Sequence, residues 1–164
     1  MSLLKIKIYP SSVLRKRCEE IKEVNEEIKE LARDMLETMY KHQGIGLAGP
    51  QVGVTKRIIV IDVGKGPLVL INPRIEEKSK ENDYLLEGCL SLPKIYVKVK
   101  RAREIVVSGL DEQGRPVKFK ARGLTARAIQ HEIDHLSGVL IIDKTNFLRK
   151  VLLKLKLLLK RKND

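Results

Sequence analysis

His131-Glu132-Ile133-Asp134-His135 sets two imidazoles four residues apart, with a carboxylate beside the first. On a helix, residues i and i+4 share a face, so both rings can reach one ion while Glu132 lies next to them as an acid or base. The bland alternative is a solvated helix face that happens to carry these residues. Two facts weigh against it. The chain has only three histidines, and Ile129, Ile133 and Leu136 embed the segment in a core.

A catalytic ion usually takes three protein ligands and keeps one position for water. The downstream extension common in zinc proteases would need a histidine where this chain has Ile141, although Gly138 is in place, and no glutamate follows Glu132. The third ligand must come from upstream or be Asp143. The two cysteines are far apart and form no disulfide framework, so each thiol needs its own explanation. Cys18 lies in a charged helical stretch and reads as a small packing residue. His42, at the end of a helix, reads as a partner of the helix dipole. Cys89 lies in Glu87-Gly88-Cys89-Leu90-Ser91-Leu92-Pro93, a glycine-flanked turn with free backbone N–H groups, and is the ligand we favour.

These residues need elements to position them. At 164 residues the chain can bury a core without cross-links and reads as a single domain over 1–164. A Tyr9-Pro10 turn feeds a short helical stretch over 13–18. Asn25 then caps a longer helix, with Glu26 and Glu27 in its first turn, an apolar face of Ile28, Leu31, Ala32, Met35 and Met39, and Gly44 at its end. Runs rich in β-formers follow at 57–62, 68–72, 74–79, 96–100, 104–110 and 117–121, with 111–114 as a hairpin turn. Helical spacing returns from Leu124, with Thr125 as cap and Gly138 as stop. The reading is α+β, a mostly antiparallel sheet around a central metal-binding helix, flanked by an N-terminal and a C-terminal helix.

Gly44-Ile45-Gly46-Leu47-Ala48-Gly49 matches G-x-G-x-x-G literally. A dinucleotide loop follows a strand and opens a helix, whereas here a helix precedes and a strand follows. We expect no nucleotide cofactor, and read the glycines as letting backbone approach a ligand.

Three blocks in order, Gly44-Ile-Gly-Leu-Ala-Gly-Pro-Gln51, Glu87-Gly-Cys-Leu-Ser91 and Gln130-His-Glu-Ile-Asp-His135, resemble the peptide deformylases, which remove the N-formyl group from newly made proteins. The opening Ile8-Tyr-Pro-x-x-Val13-Leu-Arg-Lys16 is similar to that family's as well. The family's first block usually has two consecutive alanines, where this chain has Ala48 and Gly49. The resemblance implies that Cys89, His131 and His135 bind one divalent ion, Fe(II) natively and often Zn(II) or Ni(II) in preparations. Glu132 would then move the proton, and the Gln51 amide and Leu90 N–H would hold the oxyanion. A formyl-methionyl nascent peptide would pair along Ile45-Gly46, with its side chain among Ile45, Leu85 and Ala128. Glu87 would pair with Arg101 in support of the ligands.

The formal charge of +12 implies an anionic partner. The basic stretch 147–164 carries Leu148, Val151, Leu152, Leu155, Leu158 and Leu159 on one stripe beside Lys150, Lys154, Lys156, Lys160, Arg161 and Lys162. Because 153–157 also alternates like a strand, helix and strand both remain open there. The stretch can simply pack its leucines on the body and solvate its lysines, or lie on a membrane surface; with a substrate that emerges from the ribosome, the ribosome is the docking partner we expect. No apolar run reaches the roughly 18 residues that span a bilayer, and no signal peptide is evident, so the cytoplasm is expected. Two other classes compete. A zinc endopeptidase lacks its downstream ligand here, and a basic RNA-binding domain with a structural metal needs neither Glu132 nor Gln51 and has few aromatics to stack on bases.

Overall fold

The computed structural model describes residues 2–160. Asn25 caps α1 (Glu26–Lys41) as expected, its side chain accepting from the Ile28 N–H at 3.1 Å. Beyond α1, Gln43 adopts φ 56° and the Gly44 N–H bonds back to Met39 O at 2.9 Å, which turns the chain into β1 (Gly46–Ala48). A 3-10 turn, Gly49–Val52, then leads to β2 (Ile58–Ile61). β3 (Leu68–Lys78), β6 (Glu104–Leu110) and β7 (Pro116–Arg122) complete a sheet ordered β1-β2-β3-β6-β7, every pair antiparallel. β4 (Asn82–Cys89) and β5 (Leu92–Ala102) form a separate two-stranded hairpin.

Alternation along β2 explains the layers. Ile58 and Val60 face Ala32, Met35 and Met39 of α1, while Ile59 and Ile61 face Ala126, Ile129 and Leu136 of α2 (Gly123–Leu136). Since successive side chains point to opposite faces, a strand between two helices must be apolar throughout, and β2 is buried at all four positions. The β4–β5 hairpin forms a third cluster, with Leu92, Ile95, Val97 and Val99 packed on Leu14, Leu140, Ile141 and Ile142. The metal-helix candidate therefore lies between sheet and hairpin, in contact with β1, β2, β5 and β7.

The runs 68–72 and 74–79 are one strand. Pro73 cannot donate to a ladder, but the pairing with β6 slips between Ile71 and Arg74, so the proline sits in the irregularity. β1 and β4 went unread, and β5 is longer than 96–100. The stretch 13–18 is a 3-10 turn, Ser12–Arg15. Thr125 does not cap α2; the N-cap is Arg122, without a side-chain bond, and Gly123 enters the helix at φ 56°. The segment 153–157 is helical, within α3 (Phe147–Lys160), while 161–164 lie outside the described residues.

Candidate active site

α2 brings His131 and His135 onto one face, and β4 ends at Cys89 against them. Cys89 Sγ lies 3.3 Å from His135 Nε2, which lies 3.2 Å from His131 Nε2. All three donor atoms fall within 4.8 Å of one another, close enough to hold one metal ion. Two buried imidazoles turned nitrogen to nitrogen beside a thiol crowd their lone pairs, a crowding that a shared cation relieves. His131 Nδ1 meets Glu87 Oε2 at 2.9 Å, so with that nitrogen donating, Nε2 keeps its lone pair for a metal. This donor set fits a divalent ion.

The other candidates lie elsewhere. Cys18 is buried in the sheet–α2 core, and burial pushes its thiol up to about 11, which keeps it neutral near pH 7. Asp143 pairs with Arg15 and Lys150 and accepts the Leu140 N–H. His42 is the C-cap of α1, at the cavity wall but outside the ligand cluster.

Glu87 is the hub behind the cluster. Arg101 grips it with two bonds, Nε to Oε1 at 3.0 Å and Nη2 to Oε2 at 2.9 Å, as the sequence suggested. Arg127, unread in the sequence, adds Nη1 to Oε1 at 2.7 Å and also bonds Val99 O and Asp83 O, which ties α2 to both strands of the hairpin. Its spacing of four from His131 was the available signal. Burial raises the Glu87 carboxyl, but the His131 and Arg101 bonds outweigh it and hold the group at about 2. Burial also opposes charge on both rings. At His131 the Cys89 and Glu87 bonds overcome it and raise the pKa, whereas His135, beside His131 and Arg101, is pushed down.

Glu132 is 4% exposed, and its Oε2 has no hydrogen-bond partner among the described residues. Burial pushes its carboxyl up to about 7, against the pull of His131. Gly46 makes room for it: a Cβ there would lie 2.4 Å from Glu132 Oε1. Gln51 is pinned by its Oε1, which accepts the Ala48 N–H at 2.8 Å, so its Nε2 points at Ser91 Oγ (3.3 Å) and Cys89 Sγ (3.5 Å).

These groups open onto a cavity of about 820 Å³, whose wall includes Ile45, Gly46, Gln51, Leu90, Ala128 and Glu132. Leu85 is not in that wall. It shares the Glu87 face of β4 but stands half-exposed farther along the strand, while Leu86 and Leu124, neither singled out in the sequence, do line the cavity.

A thiol and two imidazoles converging beside a buried carboxylate and an anchored amide form the equipment of a metal-dependent hydrolase. The chain belongs to the polypeptide deformylase family, whose model matches residues 3–151. It is 48% identical to the peptide deformylase of Thermodesulfovibrio yellowstonii over 162 residues, 95% of this chain and 97% of that one. The crystal structure of the Thermotoga maritima peptide deformylase superposes with a TM-score of 0.87 at 42% identity, covering 89% of this chain and 99% of that one. The Ehrlichia chaffeensis peptide deformylase in complex with actinonin gives a TM-score of 0.93 at 39% identity, covering 99% and 98%. The chain is accordingly a hydrolase of the metal-dependent deformylase type.

Proposed function

We propose that the chain removes the N-formyl group from the N-terminal formyl-methionine of newly made proteins and releases formate, working as one catalytic domain. The observation that carries this reading is the convergence of Cys89, His131 and His135 beside Glu132 and Gln51. Those three residues would hold the divalent ion, with Fe(II) the proposed native metal and Zn(II) or Ni(II) able to replace it. When bound, the ion would lower the pKa of water near neutrality and polarise the formyl oxygen.

The chain's own groups supply the rest. Glu132 accepts a proton from the attacking water and returns one to the amine that leaves, so hydroxide ends on the formyl carbon and hydrogen on nitrogen. Gln51, its carbonyl engaged by Ala48, directs its amide hydrogens at the developing oxyanion, and the Leu90 N–H is the second donor. Among the described residues β1 is an edge strand paired with β2 alone; Ile45 O accepts the Asp62 N–H on that side, and the outer edge at Ile45-Gly46 is where an extended peptide would pair. Ile45 and Ala128, with Leu86 and Leu124, supply the apolar pocket for the methionine side chain.

Anaerobically purified protein should release formate from formyl-Met peptides in proportion to bound metal. A metal-replete protein that releases none would overturn the reading. No helix among the described residues is long and apolar enough to cross a membrane; we place the enzyme in the cytoplasm, where nascent chains arise. The cations of 147–164 support docking on the ribosome, read as co-sedimentation that falls as salt rises.

A further inference from the structure

α3 carries five cations and no acidic residue. Lys150 bonds Asp143 at 2.7 Å and Leu153 packs on the hairpin core, so these residues mark the side turned to the body. At 3.6 residues per turn, Leu148, Val151, Leu152, Leu155 and Leu159 fall within an arc of about 100° on the outward side. All five are exposed, four of them by half or more: Leu148 70%, Leu152 58%, Leu155 51% and Leu159 64%. Arg149 and Lys156, also exposed, border the stripe.

A continuous aliphatic stripe pointing away from the protein calls for an apolar partner, and the flanking cations call for an anionic one. Phosphates of RNA satisfy the cations and leave the leucines in water. A second copy satisfies the leucines but sets two helices without a single acidic residue against each other. The surface of an anionic bilayer satisfies both, because acyl chains lie just beneath its phosphates.

We propose that α3 is a membrane-surface helix that seats Leu148, Val151, Leu152, Leu155 and Leu159 in the interface of an anionic lipid leaflet, with Arg149 and Lys156 on lipid phosphates.

The test is flotation of the metal-loaded full chain with vesicles of phosphatidylcholine alone or with about 30% phosphatidylglycerol. Binding should require the anionic lipid and weaken with salt. The double variant Leu152→Gln/Leu155→Gln should lose about tenfold or more in vesicle affinity while keeping deformylation and ribosome co-sedimentation. Arg149→Gln/Lys156→Gln should weaken vesicle binding through the charge term alone. Four results would overturn the proposal. The wild type does not float with anionic vesicles, the leucine variant floats as well as the wild type, or that variant loses ribosome binding with vesicle binding never seen. In the last case the stripe is a ribosomal contact. Concentration-dependent dimerisation abolished by the same variant would assign it to a second copy instead.

Discussion

Gly46→Ala is the sharpest probe of how the site is built. Its Cβ would fall 2.4 Å from Glu132 Oε1, 2.9 Å from Cδ and 3.0 Å from Cγ, all inside van der Waals contact. Backbone strain plays no part, since Gly46 is not among the positive-φ residues. Something must therefore retreat by about 1 Å. β1 is held by its pairing of Leu47 with Val60 and Ala48 with Ile59, and Asp62 N bonds Ile45 O at 3.0 Å. Glu132 is the softer wall, because Oε2 has no partner among the described residues. Displacing a reacting group by 1 Å costs on the order of 10²-fold in rate. We expect kcat on a formyl-Met peptide to fall by about that factor, with metal content unchanged and only a small loss of melting temperature. A kcat within about threefold of wild type at full metal occupancy would show that the backbone yields instead, and that the glycine is not there for Glu132.

Glu132→Gln should retain metal and lose turnover by about 10²–10⁴-fold, measured by formate release alongside metal analysis. Cys89→Ser should weaken metal retention and activity, because a hydroxyl is a poor substitute for a thiolate, whereas Cys18→Ser should leave metal stoichiometry unchanged. Asp143→Asn should destabilise the protein at pH 7 but not at very low pH. Burial raises this carboxyl, yet the Arg15 and Lys150 bonds and the Leu140 N–H outweigh it and hold it at about 2. A folded pKa below the unfolded value of 3.8 stabilises above that value, and the gain disappears as pH falls through about 2. The effect should be about 1–2 kcal/mol after solvent screening, read from urea midpoints across pH.

The sequence was most legible where a period or a cap acts locally. Asn25, the apolar face of α1 and the β6–β7 turn need only nearby residues, and each is where the pattern put it. β4 was not legible. Asn82-Asp-Tyr-Leu-Leu-Glu-Gly-Cys89 buries only Glu87, so its strand character comes from pairing with β5 and leaves no apolar alternation. β1 was hidden because its glycine answers to Glu132, a residue 86 positions away. The HExxH pair could be read because helix geometry fixes it, and the buried Glu87–Arg101 pair followed from the resemblance. Arg127 offered only its spacing of four from His131, a weak signal, since an arginine on a helix usually faces water and the hairpin's approach is what buries it.

Two carboxylates in the same site take different protonation states. Glu87 and Glu132 are almost equally hidden, 6% and 4% exposed. Burial alone would raise both. Glu87 receives hydrogen bonds from Arg101, Arg127 and His131, and is held as an anion at about 2. Glu132 lies one residue from His131 but, among the described residues, receives no guanidinium hydrogen bond, and sits at about 7, where it can both take and return a proton. A fixed anion beside the proposed metal ligands and a titrating group at the cavity are the two halves that the proposed acid–base hydrolysis would need. The separation follows from where α2 meets the hairpin: His131 and Arg101 bond Glu87 there, whereas Glu132 faces Gly46. The His131 and Arg101 bonds hold Glu87 as the anion that orients the His131 ring, while burial dominates at Glu132 and keeps its carboxyl high.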